Sequence, residues 1–292
     1  MGFVALIGKP NVGKSTLLNR IVGQRVSIVS DKAQTTRRKV IGIATTPDYQ
    51  IAFLDTPGVH EPHTRLGRAM LDAGRSALDE ADVVVAVVDA SHHPGAMDER
   101  IAQMIGELAR AKPVVLCLNK MDVLKADNVE RNVAAYTKLF GVDDGMLTTA
   151  TRGHNVDLLV RLIVDRLPER PPVFEEDAFT DQSTRFMVAE IIREKILRAS
   201  RQEIPHATAV VVEAWDEEPE ITRIEATIVV EKPSQRAILI GKHGAFLRRI
   251  GTEARAEIEE LLGRHAYLGL HVKVQEDWRM SERVLNEMEY ER

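Results

Sequence analysis

The chain has 292 residues, 44% of them hydrophobic, and a formal net charge of -5 from 39 Lys+Arg against 44 Asp+Glu. That length accommodates about two domains of ~150 residues with real cores, and the charge excludes a uniformly basic nucleic-acid binder. The longest apolar run, Val83 to Val88, lies between Asp82 and Asp89 and falls far short of the ~20 residues that cross a bilayer. No secretory signal is visible, because an apolar strand-like segment begins at once. Cys117 is the only cysteine, so disulfides within the chain are excluded; it reads as a small core residue of a soluble protein in a reducing cytoplasm.

In chain order, strands are expected at 3–7, 39–45, 50–54, 83–88, 114–118 and 146–149. They alternate with helices at about 14–23, 64–79, 97–110, 127–139 and 155–166. This alternation predicts an α/β domain, a mostly parallel sheet with helices on both faces. Pro168-Glu169-Arg170-Pro171-Pro172 cannot continue a helix and predicts an extended spacer. The expected organisation is a first domain over 1–167, a linker over 168–174 and a second domain over 175–292. The second half predicts a helix at about 180–200 and strands at 209–215 and 221–230 around an acidic turn. Helices at about 234–240 and 245–262, a strand at about 267–275 and a terminal helix follow. The order is αββααβ with one added helix, a smaller α+β domain.

Gly8-Lys9-Pro10-Asn11-Val12-Gly13-Lys14-Ser15 fits the pattern G-x-x-x-x-G-K-[ST], after the strand Phe3 to Ile7 and before the helix opened by Thr16. Backbone N–H groups of such a loop wrap phosphates, Lys14 reaches the β- and γ-phosphates, and the Ser15 hydroxyl can ligate Mg²⁺. Asp55-Thr56-Pro57-Gly58 closes the strand ending at Leu54. There an aspartate can hold a Mg²⁺ water and a glycine can offer its N–H to a γ-phosphate. Asn119-Lys120-Met121-Asp122 ends the strand at 114–118. The Asp122 carboxylate can accept two hydrogen bonds from guanine N1–H and the 2-amino group, which adenine cannot donate. Leaving it unpaired makes the discrimination large, of the order of ~10⁴.

These three motifs, in this order and spacing, resemble the GTPase domain of the Ras-like superfamily over residues 1 to about 167. The resemblance implies a guanine contact from the backbone at Thr149-Ala150-Thr151, where the family usually has Ser-Ala. It also implies a Mg²⁺-binding threonine within Gln34-Thr35-Thr36-Arg37, Thr36 being preferred and Thr35 the alternative. Lys14, Thr36 and Gly58 are then the residues expected to serve hydrolysis. Val59 and His60 stand where Ras-like enzymes place a water-orienting glutamine. An apolar Val59 cannot orient water, so slow intrinsic hydrolysis is expected. For an N-x-G-K-S loop with such a replacement, resemblance implies a K⁺ ion at Asn11. The alternative is that Asn11 only hydrogen-bonds within its own loop.

The second domain is acidic, with 17 Lys+Arg against 24 Asp+Glu from Val173 to Arg292. Within it, Lys232, Arg236, Lys242, Arg248, Arg249 and Arg255 form a basic island around Gly241-Lys242-His243-Gly244. Glycines at both ends let the backbone approach a nucleic-acid strand, while Lys242 and the following helix N-terminus present positive potential. Ile238, Leu239, Ile240, Phe246, Leu247 and Ile250 read as core-facing. His206, His265 and His271 lack metal-ligand spacing. The acidic stretches near 216–220 and 257–260, and Arg37-Arg38-Lys39, read as solvated.

The domain resembles a type II KH domain, a single-stranded RNA binder, over about 175–277. That implies RNA contacts by Ile240, Gly241, Lys242, His243, Gly244, Arg248 and Arg249. A GTPase domain joined by a proline-rich linker to a KH domain closely resembles the Era family of bacterial ribosome-assembly GTPases. The resemblance implies GTP/GDP and Mg²⁺ as ligands. It also implies binding to the 3′ end of 16S rRNA and the immature small ribosomal subunit, peripheral membrane association in some members, and a monomer. The rival expectation is a GTP-regulated factor whose KH-like domain contacts proteins rather than RNA.

Overall fold

The computed structural model of the protein describes all residues except 31, 33, 34, 60, 61, 110, 144, 201–203, 289, 291 and 292; for 206 and 287 it describes the backbone alone. Gln34, His60 and the side chain of His206, all singled out from the sequence, therefore lie outside the described residues. The chain forms two units. The first comprises Met1–Val29, Thr36–His63 and Gly67–Asp181, the second Ser30–Thr35, Thr64–Leu66 and Gln182–Arg292. The segment 168–181, where a spacer is expected to begin, groups with the first unit. The Gln50 side chain accepts there from the Val173 and Phe174 N–H groups and donates to the Phe174 carbonyl.

The first unit is built on six strands: β1 (Gly2–Ile7), β2 (Val40–Thr45), β3 (Gln50–Asp55), β4 (Val83–Asp89), β5 (Val114–Asn119) and β6 (Met146–Leu147). Their spatial order is β2-β3-β1-β4-β5-β6. All neighbours are parallel except β2 and β3. The helices are α1 (Lys14–Val22), α2 (Arg65–Glu80), α3 (Ala96–Leu108), α4 (Val129–Phe140) and α5 (Val156–Val164). Strand side chains alternate between faces, and both faces are buried. Val4 and Leu6 pack with Leu17, Leu18, Leu159 and Ile163 of α1 and α5. Ala5 and Ile7 pack with Leu78, Ile101, Ile105 and Tyr136 of α2, α3 and α4. Two-sided burial explains why β4 reads as an unbroken apolar run. Cys117 is buried in the first of these cores, and burial pushes its thiol up to about 12, leaving it inert.

The second unit contains α6 (Thr184–Ala199), α7 (Ile204–Ala207), β7 (Ala209–Glu217), β8 (Ile221–Val230), α8 (Pro233–Ile240), α9 (Ala245–Leu262), β9 (His265–Val274) and α10 (Glu282–Glu287). The three strands lie in the order β7-β8-β9, the first pair antiparallel and the second parallel. Ile250, Ala254 and Ile258, one turn apart on α9, pack with Ile224, Ala226 and Ile228 of β8 and Leu239 of α8.

Several expectations are corrected. Ile238 is 51% exposed; α8 turns Gln235 and Leu239 inward at i, i+4, and Ile238 falls on another face. The strand expected at 146–149 ends at Leu147, because Thr149 pairs instead with His154. The helix α7 was not expected. Arg37 is buried rather than solvated. Glu257 is not a free acidic face either, since it pairs with Lys195 across α6 and α9.

Candidate nucleotide site and nucleic-acid interface

In an open parallel sheet, ligands bind at the carboxyl ends of the strands where neighbouring connections diverge. Register places the motifs there. Leu6 of β1 is opposite Asp55 of β3, and Asp89 of β4 is opposite Asn119 of β5. The loop after β1 caps α1 through Gly13 at φ 99°, a left-handed backbone that a side chain would strain. A Cβ on Gly13 would also stand 2.4 Å from Asn119 Nδ2. Asn11 is left-handed too, at φ 63°. Lys9 reaches the buried Asp98 at 2.7 Å. Thr16 follows Ser15 in the first turn of α1.

Lys14 is buried, its ammonium donating to the Gly8 and Lys9 carbonyls at 3.0 and 2.9 Å. Burial lowers it from 10.5 to about 8, with the Asp55 charge opposing. Asp55 is fully buried, and burial raises its pKa against the opposing Lys14 charge and hydroxyl hydrogen bonds. Its Oδ2 accepts from Ser15 Oγ at 2.7 Å, Ser27 Oγ at 2.8 Å and Thr36 Oγ1 at 3.5 Å. Ser15 Oγ and Thr36 Oγ1 are 3.0 Å apart. Thr35 is engaged elsewhere, its hydroxyl on the Lys32 carbonyl. Asp55 Oδ1 is buried with no partner among the described residues. An all-oxygen cluster of one carboxylate and two hydroxyls, with one carboxylate oxygen left over, fits a hydrated Mg²⁺ ion. Thr56 donates to the Leu6 carbonyl at 2.8 Å, and the buried Pro57 follows. A Cβ on Gly58 would lie 2.6 Å from Pro10 N, so only glycine lets this loop meet the phosphate loop. Val59 donates its N–H to the Gly8 carbonyl, and its side chain packs on the core of α2, α3 and α4.

Asn119 ties the nucleotide loops together. Its Nδ2 donates to the Val12 carbonyl at 2.8 Å, while Oδ1 accepts from Thr148 Oγ1 and Ala150 N. Lys120 binds Asp89 at 2.8 Å. Asp122 is exposed in a short 3-10 turn. Thr149 is buried and its Oγ1 has no partner among the described residues. Arg20 of α1 donates to the Ala150 and Thr151 carbonyls.

In the second unit Gly241, His243 and Gly244 have φ of 71°, 53° and 75°, forming a tight turn between α8 and α9 directly after Ile240. Lys242, His243, Arg248 and Arg249 are exposed. Arg249 stacks on Phe246, its guanidinium carbon 5.2 Å from the ring centroid. Beside the turn, Gly244, Arg248, Gly251 and Arg255 face Tyr267 and Leu268 of β9 across a cleft of about 490 Å³. The would-be Cβ of Gly251 meets only Leu270, at 3.5 Å.

A family described as 50S ribosome-binding GTPase matches residues 3–120, and KH domain matches 203–279. GTPase Era of Heliobacterium modesticaldum is 44% identical, covering 97% of this chain and 95% of its own. The chain belongs to the Era family of GTPases. GTPase Era of Geobacter metallireducens is also 44% identical, over 99% of this chain and 97% of its own. An Era chain crystallised with MgGDPNP and nucleotides 1506–1542 of 16S ribosomal RNA superposes with TM-score 0.96 at 40% identity, covering 100% and 99% of the two chains. An Aquifex aeolicus Era variant bound to GDP and AlF4⁻ gives 0.94 at 38% identity, with the same coverage.

Sequence reasoning missed Ser27, Asn19 and Arg20 in the first unit and Gly251 and Tyr267 in the second; Arg255 was counted in the basic island but not among the RNA contacts. Only Gly251 carried a readable signal, a glycine inside a helical pattern. The state of Lys14 has a consequence for this Era-family site. Burial, which lowers Lys14 to about 8, favours the neutral amine, and a phosphate beside it would favour the charged form. Binding of Mg²⁺-free GDP should therefore take up protons at pH 8, with an uptake that declines toward pH 7, where more of Lys14 is already charged. Calorimetry in two buffers of different ionisation enthalpy measures this uptake.

Proposed function

We propose that this chain is a GTP-driven switch that hydrolyses GTP and binds single-stranded ribosomal RNA at the 3′ end of 16S rRNA during maturation of the small ribosomal subunit. The observation that carries this reading is the likeness, over the full chain, to Era crystallised with MgGDPNP and 16S rRNA nucleotides. The description of the matched GTPase family names the large subunit, but the rRNA in that crystal structure directs the proposal to the small one.

In this reading the loop from Gly8 to Thr16 cradles the phosphates, with Lys14 on the β- and γ-oxygens. Ser15, Thr36 and Asp55 hold Mg²⁺, which supplies positive charge against that developing on the phosphates. Asp122 accepts from the guanine edge, and Asn119, Lys120 and the loop Thr149-Ala150-Thr151 wall the base. Thr56 and Pro57 place Gly58 where its N–H reaches the γ-phosphate. GTP draws Thr36 and Gly58 inward and orders the loops that carry them, switch I around Thr36 and switch II after Asp55, and hydrolysis releases them. RNA enters the α9–β9 cleft, its backbone on Gly241 to Gly244 with Ile240 beneath, its phosphates near Lys242, Arg248 and Arg249. Gly251 leaves room for a base, and Tyr267 offers a ring for stacking. The protein works in the cytoplasm. Among the described residues no helix is long and apolar enough to cross a membrane, so association with the inner face of the cell membrane involves no spanning helix.

Replacing both Lys242 and His243 by Asp tests the RNA reading. Both side chains are exposed, so the fold and GTP affinity should be unchanged while affinity for a 16S 3′-end oligonucleotide falls at least about tenfold. Retained affinity would direct the cleft to a protein partner. Val59, with its side chain in the core, cannot orient water, so the reading assigns electrostatic help to K⁺ at Asn11. Exchanging K⁺ for Na⁺ should slow GTP turnover by about a hundredfold, the scale of losing one charge-stabilising group; an unchanged rate removes the cation.

A further inference from the structure

Asp55 depends on a residue that belongs to none of the recognisable motifs. Of the three hydroxyls on its Oδ2, those of Ser15 and Thr36 are assigned to the Mg²⁺ ion itself, whereas Ser27 has no such assignment. Ser27 Oγ donates to Oδ2 at 2.8 Å from a site only 4% exposed. Its backbone is clamped by one side chain on both sides. Asn19 Oδ1 accepts from the N–H groups of Val26 and Ser27, each at 3.0 Å, and Asn19 Nδ2 donates to the Ser27 carbonyl at 2.7 Å. Asn19 is a residue of α1, the helix that begins at Lys14, so Ser27 is fixed to the same rigid element that carries Lys14 and Ser15.

We propose that Ser27, held by Asn19, is a positioning residue that fixes the Asp55 carboxylate so that Oδ1 stays available to the Mg²⁺ shell whatever switch I does. The contact of Thr36 with Oδ2 is long, at 3.5 Å, and would be lost if switch I withdrew as proposed; the Ser27 contact is anchored to α1 through Asn19. A hydroxyl replaced by hydrogen leaves the buried Oδ2 with a vacated acceptor position, and the carboxylate gains freedom to rotate about its terminal bond. Residues that orient metal ligands in this way typically change metal affinity by 10–100-fold.

This inference rests on the assignment of Asp55 to Mg²⁺, and the experiment separates the two. Release of a fluorescent GDP analogue is followed across a Mg²⁺ titration for the wild type, Ser27→Ala, Ser27→Thr and Asp55→Asn. Ser27→Ala should need about ten times more Mg²⁺ for half-maximal retention, with GDP affinity in EDTA unchanged. Ser27→Thr, which keeps the hydroxyl, should restore the wild-type Mg²⁺ requirement if its extra methyl is accommodated. An unchanged requirement in Ser27→Ala overturns the proposal, as does an equal loss of GDP affinity with and without Mg²⁺, which would make Ser27 a packing residue only. If Asp55→Asn also leaves the requirement unchanged, the assignment of Asp55 falls and takes the proposal with it. If only Asp55→Asn raises it, Ser27 alone is refuted.

Discussion

Lys14 and Asp55 are opposite charges buried at the carboxyl edge of a parallel sheet, and each is driven toward its neutral form by burial. Taking a charge out of water costs several kcal/mol unless partners replace the lost hydration. The protein supplies only part of that replacement. Two loop carbonyls face the ammonium, and hydroxyls satisfy one carboxylate oxygen while the other has no partner among the described residues. In the proposed reading, phosphate oxygens for Lys14 and a hydrated divalent cation for Asp55 would complete both groups. The site is thus poised for a ligand that brings negative phosphates and a cation together, as a Mg²⁺–nucleotide does.

The surrounding structure keeps these charges in place by short side-chain ties. Asn119 joins the loop after β1 to β5 and to the backbone at Ala150, so the loops proposed to hold phosphate and base are tied to each other. Arg20 adds a second strut from α1 to the same base loop. Because Lys14, Ser15, Asn19 and Arg20 all project from one nine-residue helix, a shift of α1 would disturb the proposed phosphate, metal and base contacts together.

Much of this was legible in the sequence for a local reason. The phosphate loop, Asp55 to Gly58 and Asn119 to Asp122 sit at strand ends, where glycine requirements and apolar periodicity are written in adjacent residues. Of the two candidate threonines, Thr36 has its hydroxyl 3.0 Å from Ser15 Oγ, whereas that of Thr35 lies on the Lys32 carbonyl. What stayed hidden depends on partners distant in sequence. Ser27 looks like any loop serine until Asp55, 28 residues on, is seen to accept from it. The cleft beside Gly251 exists only once β9 lies across from α9. Ile238 failed as a core residue because an apolar side chain next to a buried Leu239 on a short helix need not share its face.

In the proposed function, one chain couples a Mg²⁺–GTP site to RNA held by the KH domain. Affinity for a labelled oligonucleotide matching the 3′ end of 16S rRNA, measured in Mg²⁺ with GDP and with a non-hydrolysable GTP analogue, tests it directly. The account predicts binding about tenfold tighter with the analogue, within the usual range of coupling between two sites; equal affinities in the two states would contradict it.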